Sequence, residues 1–448
     1  MERSLQRIEA AAQLNAVVRL RPDEALAEAR ALDSDLARAG HVPGPLGGLP
    51  LLVKEIEDVA GLPTTRGSLL RSAAPPARRD GLVPRRLRAA GAIVVGKTNT
   101  PEFAFEGYTA NRLFGATLNP WAPDWSPGGS SGGSGAALAA GLAPLATATD
   151  GGGSIRIPAA ACGLAGLKPT NGVIGRDPVP SWIDLSTDGP LASTIADLRL
   201  LLALEAGPVA GDPTAQVGWR LGPGALPRRL IAAERLVAGP PLDPGSAALF
   251  RAALDRLGGD LGLPIETAEP DAILRAGDAD ADWFTIAAAE SLGELGRPTV
   301  EAALAEERLE PGFGRWMELA LAIPIDAYLA ARRRRLGYTR DLDSLLGADA
   351  ILVTPTLTVP GWSPWGVVPG REAEGPGLPL DVLNTGPQNL AGHPALSVPA
   401  GRHANGVPFG LQLTGPRYRE DLVLGLGAAW EAIRPWALTA DGFAPFAI

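Results

Sequence analysis

Apolar residues recur at helical spacing over residues 3–13 and again over 22–38, with Pro22 suited to a first turn and Gly40 just past the end. Two helices are therefore predicted to open the chain. Gly44-Pro45-Leu46-Gly47-Gly48 breaks that period and launches Leu49-Pro50-Leu51-Leu52-Val53, an apolar run of buried-strand type that ends at Lys54. A helix is expected at about 82–90 and a second strand at Ala92-Ile93-Val94-Val95, followed by an irregular stretch over 97–129. The run from Gly128 to Gly135 has the composition of a flexible linker, but Ala136 to Gly141 continues it as an alanine-rich helical pattern. It reads as a loop feeding a buried helix. Pro144 to Thr149 is another apolar run, leading into Asp150-Gly151-Gly152-Gly153-Ser154 and then a short helical pattern from Ile155 to Ala161. Over about 205–345 the pattern changes to helices and acidic loops, with apolar helical stretches near 282–296 and 322–347. The last hundred residues return to strands at 351–353, 395–398 and 409–413, closed by a helix near 420–433. Alternating strand, glycine loop and helix predicts an α/β architecture, and no internal repeat or dividing linker interrupts it.

Composition narrows the function classes. The chain has 448 residues, 40 basic against 49 acidic, for a formal charge of −9. That balance argues against a phosphate-tracking surface and hence against a nucleic-acid partner. The one basic run, Arg332 to Arg335, sits in a helical pattern and reads as a solvated face, with an anion site as the alternative. One cysteine cannot form an internal disulfide, and with only His41, His393 and His403 beside it no zinc-type ligand cluster assembles. No metal site and no cofactor are expected. The N-terminus carries acids within an amphipathic pattern, and no window holds about 18 uninterrupted apolar residues, so neither a leader nor a membrane partner is expected and the reading is cytoplasmic.

Only three lysines occur, Lys54, Lys97 and Lys168; every other basic residue is arginine. Lysine, unlike arginine, loses its proton when buried, which makes a lysine at the end of an apolar strand a candidate base. A snorkelling strand-end lysine is the plainer alternative. The glycine-serine loops exclude some common meanings. A nucleotide-binding G-x-x-x-x-G-K-[ST] loop needs a lysine where Ser134 stands. Gly129-Ser130-Ser131-Gly132-Gly133 matches the G-x-S-x-G elbow of α/β-hydrolases, which would make Ser131 the nucleophile and His393 its base; the preceding Trp121-Ala122-Pro123-Asp124-Trp125 is not a strand.

Several stretches are recognisable together: Leu52-Val53-Lys54-Glu55, Val59 to Thr65, Pro127-Gly128-Gly129-Ser130-Ser131-Gly132-Gly133, Asp150 to Pro158, Cys162 to Thr170, and Asn389 to Pro399. This combination resembles the amidase signature family of serine hydrolases. The resemblance covers about 45–200 and 345–433, leaving 205–345 as a variable, substrate-shaping part of one domain spanning 1–448. It implies a single α/β/α domain with a central mixed β-sheet surrounded by helices.

By the resemblance, Ser154 is the nucleophile, Ser130 a bridging serine on a cis peptide, and Lys54 the general base. Gly151, Gly152 and Gly153, with the Ser154 N–H, supply the oxyanion hole; Ser131 lends a supporting hydrogen bond; Asp150 and Arg156 form a supporting ion pair, unless Arg156 faces an acidic substrate. The chemistry is coherent without histidine, because a hydroxyl that both donates and accepts can pass the nucleophile's proton to a neutral lysine. Bringing a lysine from ~10.4 to a working value near 7 requires about 4 kcal/mol of environment, and burial at a strand end is the source. Trp283, Trp362 and Trp365 are candidate pocket residues. Cys162 reads as packing, and Lys97 and Lys168 as loop-pinning residues. Two departures from the family pattern bear on pocket shape: Glu55 in place of aspartate, and Gly151 in place of a bulkier residue. The implied activity is hydrolysis of a small-molecule amide to acid and amine or ammonia. Two alternatives stay open, the glutaminase subunit of a tRNA-dependent amidotransferase and a catalytically silent small-molecule binder, as does a homodimer.

Overall fold

A computed structural model describes residues 1–40, 44–377 and 383–446. His41 and the part of the late core segment at 378–382 lie outside the described residues. Two β-sheets organise the rest. Strand Pro50–Lys54 is buried at every position, as an unbroken apolar run demands, and pairs in parallel with both Ile93–Thr98 and Leu145–Ala146. Val17–Leu20 completes this four-stranded sheet, antiparallel to Ile93–Thr98. Leu51 and Val53 point into a core shared with the helix Leu82–Ala89, while Leu52 points into a second core under the helix Gly132–Ala139. The strand is thus wedged between two apolar layers, and Lys54 emerges at its end in a fully buried position.

The larger sheet has seven strands, in the order Leu191–Ala192, Ala165–Lys168, Ala395–Arg402, Pro408–Thr414, Ala350–Pro355, Arg229–Ala232 and Ile265–Thr267. Its first five are antiparallel neighbours and its last three run parallel, so the sheet is mixed, as expected. The helix Arg156–Cys162, buried along its whole length, lies against the strands Ala395–Arg402 and Pro408–Thr414. Helices Ala279–Leu295, Pro311–Ala320 and Ile325–Leu346 pack together on the sheet face presented by Ile231 and Leu352.

Two expectations change here. The segment 205–345 is not a purely helical addition: Arg229–Ala232 and Ile265–Thr267 extend the large sheet from within it. The glycine-serine run is also less of a loop than its composition indicated, because the helix already begins at Gly132. Its glycines permit close approach; a Cβ on Gly133 would come 2.4 Å from the backbone nitrogen of Asn99. Among the described residues, no helix is long and apolar enough to cross a membrane.

Candidate active site

Lys54, Ser130 and Ser154 converge from three elements: the end of a buried strand, the loop before the helix Gly132–Ala139, and the turn before the helix Arg156–Cys162. The Gly129–Ser130 peptide is cis. Lys54 Nζ donates to Ser130 Oγ at 2.8 Å and to Thr149 Oγ1 at 2.8 Å. Burial drives the Lys54 ammonium down to about 7, against the opposing pull of Glu57, Asp150 and Asp188. A substantial neutral fraction therefore exists near neutral pH, the condition a lysine base must meet. Burial also raises Glu57 and Asp188, and the charge of Asp188 raises Glu57 further.

Ser154 is nearly buried and lines the same cavity as Ser130 and Thr149. Their loops are tied by a hydrogen bond from the Ser131 N–H to the Ser154 carbonyl, 3.2 Å. Ser131 Oγ donates to the Thr149 carbonyl and accepts from the Thr149 N–H, both at 3.3 Å, which ties the Ser130 loop to the residue that holds Lys54. His393 instead meets Asp343, Nε2 to Oδ1 at 3.1 Å, and the helix after Ser131 follows no strand. The structure therefore does not assemble a Ser131–His393 elbow. Accordingly, His393→Ala is expected to retain amide turnover in steady-state assays; its abolition would restore the elbow.

Asp150 and Arg156 are both fully buried and form a bidentate pair, with Arg156 Nη2 and Nε at 2.8 and 3.0 Å from the carboxylate. The remaining guanidinium hydrogen bonds go to Gln388, Gln412 and Asn389, at 3.1, 2.9 and 2.7 Å. All five N–H groups have protein acceptors, so Arg156 supports the loop and does not face an acidic substrate. Burial alone would raise Asp150, but the Arg156 charge and hydrogen bonds outweigh it and hold the carboxyl at about 2. Because the folded value lies below the ordinary 3.8, the pair stabilises the fold above that pH. That contribution is lost as pH falls from there toward 2. Arg156→Leu, which strands the buried carboxylate, is expected to cost about 3–5 kcal/mol, read as a lowered thermal midpoint.

Asp150 Oδ1 also accepts from the Gly153 N–H at 2.7 Å. This corrects the expected oxyanion hole: Gly153 supplies backbone geometry, with φ +130°, while its donor is already engaged. Among the described residues, none accepts a hydrogen bond from the N–H groups of Gly151, Gly152 or Ser154, which remain available to a carbonyl oxygen.

The tryptophan expectations divide. Trp283 lines the apolar cavity that contains Ser154, and its Nε1–H donates to the Gly151 carbonyl at 2.8 Å. Trp362 is fully buried in a cluster with Tyr108, Ile157 and Ala160, and Trp365 is 49% exposed. Neither lines the cavities that open on Ser154, so both are removed from the pocket. Sequence reasoning missed Phe105 and Trp182, which do line the apolar cavity, and Thr149, the second hydroxyl on Lys54. It also missed Asn389, whose Nδ2 reaches the Asp150 carbonyl and Oδ1 at 3.0 and 2.9 Å, although Asn389 opens a recognisable stretch. Lys97 pairs with Glu55 at 3.0 Å, and Lys168 holds the Pro169 carbonyl and Asn171 at 2.8 and 3.0 Å; both pin loops. Cys162 is buried and its thiol is raised by burial, consistent with packing.

The Amidase family profile matches residues 1–424 of the chain. The sequence is 35% identical to an acylamidase of Rhodococcus erythropolis, across 97% of this chain and 92% of that protein. It is 36% identical to a glutamyl-tRNA(Gln) amidotransferase subunit of Chloroflexus aggregans, across 95% and 90%. The fold superposes on 6-aminohexanoate cyclic dimer hydrolase in complex with substrate with a TM-score of 0.82 at 29% identity, covering 98% of this chain and 94% of that one. A bacterial aryl acylamidase of the amidase signature enzymes superposes with a TM-score of 0.82 at 26% identity, covering 97% and 92%.

Proposed function

From the premise that the chain belongs to the amidase signature family of amide-hydrolysing enzymes, we propose that it cleaves a carboxylic amide through an acyl-Ser154 intermediate, with Ser130 relaying protons to and from Lys54. The observation that carries this reading is the 2.8 Å contact between Lys54 Nζ and Ser130 Oγ, made by a buried lysine brought down to about 7.

An amide carbonyl is a poor electrophile, so Ser154 must lose its proton as it attacks. Ser130 accepts that proton and passes its own to neutral Lys54. The developing oxyanion meets the N–H groups of Gly151, Gly152 and Ser154. As the tetrahedral adduct collapses, the same path delivers a proton to the leaving nitrogen. Water then releases the acid from Ser154 by the reverse relay. Thr149 positions Lys54 through the second hydrogen bond at 2.8 Å. One buried cysteine suits a reducing compartment, and the cytoplasm is part of this proposal.

The likeness to the amidotransferase subunit supports a glutaminase as the second reading. Pocket chemistry favours the free-standing amidase: among the described residues, neither cavity that opens on Ser154 is lined by an arginine to meet a glutamine carboxylate. The test is amine or ammonia release by the purified chain alone from simple amides and from glutamine. Turnover of simple amides without a partner is expected. Turnover confined to glutamine, and only with added partner proteins, would overturn the reading.

A further inference from the structure

Two cavities open on Ser154, and Trp182 stands between them, lining both. One contains Ser130, Thr149, Ser181 and Ser186. The other is walled by Phe105, Trp182, Trp283 and Ile157 above Gly152. The proposed relay assigns the two sides. Ser130 returns the proton to the departing nitrogen, so the amine leaves on the Ser130 side and the acyl group occupies the aromatic side. The aromatic cavity is the smaller, about 20 Å³ against about 60 Å³.

Its walls rest on the glycine loop. A Cβ on Gly151 would come 2.4 Å from the Trp182 ring, and one on Gly152 would come 2.4 Å from the Trp283 ring. The absent side chain of Gly151 is therefore what lets Trp182 close down over the nucleophile turn. Both indoles are fixed by hydrogen bonds, Trp182 Nε1–H to Ser291 Oγ and Trp283 Nε1–H to the Gly151 carbonyl, each at 2.8 Å. The rings brace one another edge to face, with centroids 5.3 Å apart for Phe105 and Trp182 and 5.5 Å for Trp182 and Trp283. Swinging either indole aside would break a buried hydrogen bond and an aromatic contact together.

We infer that this slot selects a planar, apolar acyl group, an aroyl amide over one with a saturated ring of the same carbon number, with Trp182 seated on Gly151 as the residue that sets the selection. This rests on the proposed acyl transfer through Ser154. In so small a cavity a flat ring needs the least room beside Trp182, whereas a chair-shaped ring is thicker and must displace an indole held by a hydrogen bond.

The test compares kcat/KM of the full chain for acetamide, benzamide and cyclohexanecarboxamide, which share ammonia as leaving group. Wild type is expected to favour benzamide over cyclohexanecarboxamide by about 10-fold or more. Trp182→Ala should bring that ratio close to one, while Trp182→Phe keeps an aromatic wall and most of the preference. Labelling of each variant by a fluorophosphonate verifies that its nucleophile site is assembled. Hydrolysis of acetamide with equal handling of the two ring amides, or a ratio unmoved in Trp182→Ala, overturns the slot and leaves the acyl-transfer reading standing. No hydrolysis of any of the three overturns the acyl-transfer reading itself. If neither variant folds, the wild-type ratio decides alone.

Discussion

Replacing Lys54 with methionine is expected to lower kcat/KM for a simple amide by about 10³-fold or more while leaving the fold intact. General-base transfer by a positioned side chain is worth about 10²–10⁴-fold, and in the proposed relay the lysine serves both acylation and deacylation. The fold should survive because the substitution exchanges a buried amine for an apolar chain of similar length, in a strand whose other four residues are apolar and buried. Lys54→Arg separates the base from a mere positive charge. Arginine keeps the charge but does not release its proton near neutrality, so this variant should be as inactive as the methionine one. The wild-type profile carries the same signature. With Lys54 near 7, the neutral base falls about tenfold per pH unit below that value, and kcat/KM should fall with it and level off above. Initial rates of the three proteins between pH 5 and 9 check both points. Substantial turnover by Lys54→Arg would show that the charge, not the proton transfer, matters.

Ser154→Ala is expected to reduce turnover by about 10⁴-fold or more, to the residual rate that oxyanion donors and binding alone can support. Its stability should match wild type, since no described residue accepts or donates a hydrogen bond to Ser154 Oγ and the side chain lines a cavity. The contrast with Arg156→Leu is diagnostic. One substitution removes chemistry from a sound scaffold; the other removes the scaffold beneath the chemistry. Thermal unfolding beside steady-state rates distinguishes them.

Where one residue type and its immediate neighbours decide the outcome, the sequence was informative. The strand ending at Lys54 was visible because five consecutive apolar positions leave no solvent face. The lysine stood out because arginine serves as the cation almost everywhere else. The opening helix Pro22–Ala39 ends at Gly40 with φ 70°, where a glycine was expected. What the pattern did not show depends on partners distant in sequence. Arg229–Ala232 is four residues long and becomes a strand only because Ala350–Pro355 and Ile265–Thr267 flank it. Trp182 sits in a loop with no periodicity, and its importance comes from the absent side chain of Gly151. Trp362 and Trp365 fall in stretches that the family resemblance marks as pocket-lining, but one is enclosed by its cluster and the other faces solvent. Gly153 reads as a donor until Asp150 is seen to occupy its N–H.

The proposed role of Ser154 as the nucleophile of an acyl transfer is decided by the intact mass of wild type, Ser131→Ala and Ser154→Ala after exposure to a fluorophosphonate. A single adduct on wild type and Ser131→Ala, with none on Ser154→Ala, is the predicted result. An adduct that survives on Ser154→Ala, or one lost only in Ser131→Ala, would contradict it.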